Sequence, residues 1–134
     1  MGTVQPHLKS HVARRILVVD DNGSTRETIV TLLQTEGYDA QGVENGHEAL
    51  QLLREGYDAS LVLLDMMMPV MDGWDFRMAQ RNDPRIAEIP VVVLTAVVNP
   101  ELEAKKLRAV AGFRKPVDID ALLDVVAQYC PRTR

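Results

Sequence analysis

The sequence predicts an α/β domain: a parallel sheet covered by helices on both faces. Three observations carry this. Across 134 residues, five short apolar segments alternate with five segments of helical period, the pattern of strand–helix units winding a parallel sheet. The apolar segments are runs of Ile, Leu and Val without polar alternation, as in strands buried on both faces. Their distal ends carry Asp20 and Asp21, Asp65, Thr95 and Lys115, the edge of an open α/β sheet where ligands bind. Right-handed crossovers limit the windings to a few.

Taken in order, residues 1–13 hold Gly, Pro, Lys, Ser and two His without an apolar period and read as a flexible tail. His7 and His11 are four apart, but with no helix signal and no further ligand they make a poor metal pair. Arg14-Arg-Ile-Leu-Val-Val-Asp20-Asp21 is the first strand. Ser24-Thr-Arg-Glu27 has the form of a capping box, which places a helix start at Ser24. That helix carries Ile29, Leu32 and Leu33 and ends at Gly37. Residues 39–44 form a weak short strand, and Asn45-Gly46 opens a helix with Ala49, Leu50 and Leu53 that Gly56 closes.

The strand at 59–64 stops at Asp65, and Pro69 and Gly73 break the chain before a helix from Trp74 to Arg81. Asn82-Asp-Pro84 ends that helix. Residues 90–96 form another buried strand, and Asn99-Pro100 starts a helix with proline where its missing N–H is not needed. Val98, Leu102, Ala109 and Val110 are its expected apolar residues; Glu101, Glu103, Lys105, Lys106 and Arg108 form a charged face. Phe113 belongs to a short strand ending at Lys115-Pro116. A last helix begins at Asp118 with Ile119, Leu122, Leu123 and Val126, and 131–134 is a C-terminal tail.

The totals suit one globular domain over residues 14–130: 46% hydrophobic, 25% charged, net charge −4. An acidic balance does not suggest nucleic acid or an anionic membrane as the main partner. No apolar run reaches the ~20 residues of a membrane span, and the start has no secretory pattern. The single cysteine, Cys130, cannot form an internal disulfide. A cytoplasmic location is the expectation.

A parallel sheet would bring the polar strand ends to one edge. Two carboxylates ~4 Å apart repel by about 4 kcal/mol at an effective dielectric of 20, so the cluster needs cations. Lys115 supplies one; oxygen-only ligands suit a hard divalent ion such as Mg²⁺. Three carboxylates, Mg²⁺ and Lys115 sum to zero charge. Such a site, with Thr95 beside it, fits phosphoryl transfer, which needs positioning and charge neutralisation.

These residues at this spacing resemble the receiver domain of two-component response regulators: Asp20-Asp21, Asp65 before Met68-Pro69 and Met71-Asp72-Gly73, Thr95-Ala96, and Lys115-Pro116. The resemblance covers about residues 14–129. It implies the flavodoxin-like doubly wound (βα)5 sandwich with strand order 2-1-3-4-5. It further implies that Asp65 takes a phosphoryl group from a histidine kinase or histidine phosphotransfer protein. Asp21, Asp65 and the backbone carbonyl of Met67 would bind Mg²⁺, with Asp20 assisting through water. Thr95 and Lys115 would hold the phosphoryl group, and the Lys115–Pro116 bond would be cis. Asn22 to Thr25 and Val117 would face the kinase. The fourth helix, fifth strand and fifth helix would offer a homodimer or target surface.

The chain departs from the family pattern at two places. Gly112 stands where receivers usually carry the switch aromatic, and Phe113 should point into the core. The relay is then expected to run through backbone shifts of residues 97–100. Met67 and Val97, apolar where relatives carry residues that orient water, predict a long-lived phosphoryl group.

The methionines at 66, 67, 68 and 71 read as adaptable packing rather than a copper(I) site. Trp74 and Phe76 read as core or groove residues. An Asp-nucleophile phosphatase would want a second Asp where Met67 stands. A flavin module would meet repulsion from Asp20-Asp21 at its phosphate cradle, and a scaffold that never takes phosphate would be expected to lack a site residue. With no output domain after Tyr129, the chain is expected to act by binding partners or as one receiver of a hybrid kinase or larger regulator.

Overall fold

Five parallel strands, β1 (Arg15–Val19), β2 (Asp39–Val43), β3 (Leu61–Asp65), β4 (Val91–Thr95) and β5 (Ala111–Arg114), form one sheet in the order β2-β1-β3-β4-β5. The expected winding is therefore the observed one. The computed structural model describes residues 14–130; the tails expected at 1–13 and 131–134, with His7 and His11, lie outside the described residues.

Strand alternation divides the interior into two cores. Ile16, Val18, Leu61, Leu63, Val92 and Leu94 face one side, packed with Ile29 and Leu33 of α1 (Gly23–Thr35) and Leu122 and Val126 of α5 (Ile119–Tyr129). Leu17, Val19, Val62, Leu64 and Val93 face the other, against Leu50 of α2 (Gly46–Arg54), Phe76 of α3 (Gly73–Arg81) and Leu107 of α4 (Pro100–Leu107). Every residue of β3 and β4 is buried, which explains why their sequences show no polar alternation. At roughly 1.5–3 kcal/mol for each fully buried aliphatic side chain, these central strands are the rigid part of the frame.

Each helix opens on an Asn or Asp whose side chain accepts from a backbone N–H three residues on: Asn22, Asn45, Asp72, Asn99 and Asp118. The first differs from the expected Ser24. Asp20 accepts the Asn22 N–H at 2.9 Å, and this tight turn seats Asn22 as the cap, accepting from Thr25 at 2.9 Å. The cap lies two residues earlier than the capping box implied, and Ser24 lies within the helix.

The apolar face expected for the fourth helix is also corrected. Val98, Leu102 and Val110 are exposed, and the buried residues are Pro100, Ala104 and Leu107. The expected set borrowed residues from beyond both helix ends: Arg108 takes a left-handed conformation (φ 56°) and stops the helix, so Ala109 and Val110 are not on it. Pro100, Ala104 and Leu107 follow the four-then-three spacing of one helical stripe.

Two contacts seat α4. Its first turn lies on Gly112 of β5, where an added Cβ would collide with the Pro100 carbonyl oxygen. Its last turn is held by the buried Arg77 of α3, which donates from Nε to Leu107 O at 2.9 Å and from Nη2 to Arg108 O at 2.8 Å. Phe113, one residue on from Gly112, points to the opposite core as expected. No helix among the described residues is long and apolar enough to cross a membrane.

Candidate functional site

β1 delivers Asp20 to the sheet edge fully buried. Its N–H donates to Val43 O at 3.1 Å. One carboxylate oxygen accepts from Asn22 N–H and the other from the Lys115 ammonium at 2.9 Å. Asp65, 4% exposed at the end of β3, accepts from the same ammonium at 3.2 Å and from Met67 N–H at 3.4 Å. Asp21 is exposed beside them. Carboxylate oxygens of Asp20, Asp21 and Asp65 all lie within 4.8 Å of one another.

Lys115 follows β5, and its backbone N–H donates to Thr95 O at 2.8 Å. That bond joins the ends of β4 and β5. Thr95 is buried, and its hydroxyl accepts the Val97 N–H at 3.2 Å. Asp20, Asp21, Asp65 and Lys115 thus meet in one cluster, and Thr95 stands at the neighbouring strand end. Met67 reaches the site through its backbone, with its side chain 74% exposed. The Lys115–Pro116 peptide bond is cis.

Burial and then the Asp20 carboxylate raise the Asp65 carboxyl to about 6, against the opposing pull of Lys115. Burial pulls the Lys115 ammonium down, but its bond to Asp20 and the charges of Asp65 and Asp20 outweigh this and raise it. Three carboxylates and one ammonium leave an excess of two negative charges. The clustered donors are all carboxylate oxygens; of the thioethers next in sequence to Asp65, Met66 and Met68 are buried in the core and Met67 is exposed. This chemistry fits a hard divalent cation such as Mg²⁺.

Gly73, read from sequence as a breaker, has a second role. Its N–H donates to Met66 O at 3.1 Å, and an added Cβ would lie 2.6 Å from Met66 Sδ and 2.9 Å from Asp65 O. The start of α3 is pressed against the backbone that carries Asp65. Only the tertiary approach reveals that, since glycine after a capping Asp is also an ordinary turn signal. Ser24, Thr25 and Val117, three of the residues expected to face a kinase, line one cleft of about 280 Å³ with Lys115 and Pro116.

The family model for the response regulator receiver domain matches residues 16–127. Sporulation initiation phosphotransferase F of Bacillus subtilis (strain 168) is 37% identical over 120 residues, spanning 87% of this chain and 94% of that protein. The CAI-1 autoinducer sensor kinase/phosphatase CqsS of Vibrio cholerae is 35% identical over 131 residues, spanning 94% of this chain and 19% of that protein. Among solved structures, a response regulator receiver protein from Pseudomonas putida is similar with a TM-score of 0.78 at 30% identity, covering 85% of this chain and 95% of that one.

Proposed function

This chain belongs to the response regulator receiver domains, and on that premise we propose that it is a phosphoacceptor in a two-component relay, with Asp65 as the residue phosphorylated. The observation that carries the reading is the Lys115 ammonium, shared between Asp20 and Asp65 with Asp21 alongside. The site needs two further positive charges and provides one fixed cation beside the acceptor oxygen.

Asp65, as the carboxylate, attacks the phosphorus of a phosphohistidine. The new bond is between carboxylate oxygen and phosphorus; the phosphorus–nitrogen bond breaks, and the imidazole leaves and takes up a proton. Asp20, Asp21, Asp65 and the Met67 carbonyl would hold Mg²⁺, which supplies charge neutralisation for the transferring oxygens. Lys115 then exchanges its bond to Asp65 for one to a phosphoryl oxygen, and Thr95 turns its hydroxyl from Val97 N–H to another. Release of Val97 N–H is the step that passes the change to the loop before α4. The domain catalyses only its own phosphorylation and dephosphorylation. Met67 at the position of a phosphatase's second Asp argues against turnover of external substrates.

The partner is a histidine kinase or histidine phosphotransfer protein, docking at the cleft between α1 and the loop after β5. The exposed side of α4, with β5 and α5, is the homodimer or target surface. A cytoplasmic location fits such partners. We take residues 14–130 as the receiver unit, acting alone or within a longer hybrid kinase or regulator. Incubation with acetyl phosphate and Mg²⁺ followed by intact-mass measurement should add one phosphoryl group, not formed when Mg²⁺ is chelated beforehand and absent in Asp65→Asn. Undiminished labelling of Asp65→Asn would refute the assignment.

A further inference from the structure

We propose that Arg26, its stem laid across Gly42, is a positioning residue for the acid cluster: it fixes the peptide between Asp20 and Asp21 and so sets how tightly the carboxylates grip a divalent cation. This rests on the reading of the cluster as a Mg²⁺ site.

The Asp20 carbonyl is part of the peptide that joins the two neighbouring acids, and rotation of that peptide re-aims Asp21 relative to Asp20. Arg26 Nη1 donates to this carbonyl at 2.8 Å. The other backbone group of Asp20, its N–H, is tied to Val43 O at 3.1 Å. Both hydrogen-bonding groups of the Asp20 backbone are therefore held, one by β2 and one by α1. Without Arg26 the carbonyl, and with it the Asp20–Asp21 peptide plane, loses its anchor.

Arg26 reaches that far only because β2 leaves it a channel. A Cβ at Gly42 would stand 2.8 Å from Arg26 Cγ and 2.9 Å from Cδ. These are atoms in the middle of the stem, and the far end is pinned by the carbonyl, so a methyl group there must move the guanidinium. Gly42 pairs with Val18 in β1, on the sheet face covered by α1. A glycine on an edge strand and an arginine on a helix thus act as one device.

The guanidinium is itself a cation near a cation site. If its charge were what mattered, Arg26→Met would tighten Mg²⁺ binding; if it positions the peptide, Arg26→Met weakens binding. Partners in the outer shell of a metal typically change affinity by about tenfold or more. The test is calorimetric titration of Mg²⁺ into the unphosphorylated protein at fixed ionic strength, with urea unfolding in chelator as a measure of the fold.

We expect Arg26→Met and Gly42→Ala each to weaken binding by about tenfold, the double variant to be no weaker than either single one, and Arg26→Lys to recover part of the loss. Unchanged or tighter binding in Arg26→Met, or additive losses in the double variant, would overturn the proposal. Should Gly42→Ala fail to fold, the contrast between Arg26→Met and Arg26→Lys decides: equal affinities overturn it. No Mg²⁺ binding by the unsubstituted protein would overturn the reading of the site itself, and the Arg26 proposal with it.

Discussion

Asp65 is held between burial, which favours its neutral form, and Lys115, which favours its charge. With divalent cations chelated, burial and Asp20 win and the carboxyl is pushed up to about 6, from 3.8. The folded state then binds more protons than the unfolded chain between those values, so stability falls as pH rises through about 4 to 6 and stays lower above. Two units correspond to at most about 3 kcal/mol. Asp65→Asn should therefore be more stable than the unsubstituted protein at pH 7.5 in chelator, by about 2 kcal/mol, with the gap closing near pH 4. Urea unfolding across pH reads this directly; a variant less stable at pH 7.5 contradicts it. Met67 and Val97 stand at the mouth of the same site, 74% and 41% exposed, and neither can orient a water by hydrogen bonding. Met67→Asn should speed loss of the phosphoryl group several-fold, followed by intact mass over time; an unchanged rate removes the basis for a long-lived phosphoprotein.

The elements around the site are fixed by close approaches rather than by propensity. Gly73 brings α3 against Asp65 and Met66, where an added Cβ meets backbone at 2.9 Å. Backbone cannot swing aside as a side-chain tip can, so Gly73→Ala should lower stability by about 2 kcal/mol and slow labelling by acetyl phosphate. Unaltered unfolding and labelling would show the loop to be softer than its geometry. Helix α4 is held at both ends, by Gly112 below its first turn and by Arg77 at its last. Arg77→Met would leave Leu107 O, Arg108 O and the Gln80 amide oxygen without that donor. An unpaired buried acceptor costs about 1–3 kcal/mol, so a loss of about 3 kcal/mol is expected, with faster amide exchange in the last turn of α4. The usual switch aromatic has no room at position 112, because the Pro100 carbonyl occupies that space. On the function proposed above, the change at the site is then expected to pass through the 97–100 loop and the α4 N-terminus instead.

At the scale of the molecule, the cluster is assembled from the ends of β1, β3 and β5, with Asp20 and Lys115 95 positions apart in sequence. A cation that binds only this assembled cluster stabilises the whole fold, by about 2.7 kcal/mol at a hundredfold excess over its dissociation constant. Mg²⁺ should raise the thermal midpoint of the unsubstituted protein, and Asp21→Asn should abolish the rise. An equal rise in both would place the ion elsewhere. The same assembly explains how far the sequence could be read. The buried runs of β3 and β4 and the polar residues at their ends were legible because a strand covered on both faces has one composition and parallel strands share one polar edge. Ser24 as a cap was not correct, since Asp20 Oδ1 holds Asn22 in that role. The face of α4 was not correct either, since the helix stops at a left-handed Arg108 that no residue preference signals.

The order of apolar and polar residues along the chain by itself determined a five-stranded parallel sheet with an acid–lysine cluster at one edge, because alternation and strand ends are local properties. Arg26 over Gly42, Gly73 against Asp65, Gly112 under Pro100 and Arg77 on the end of α4 were decided only in the tertiary structure. Each depends on how closely two segments remote in sequence approach, and a local pattern records what a residue prefers, not how much room its neighbours leave.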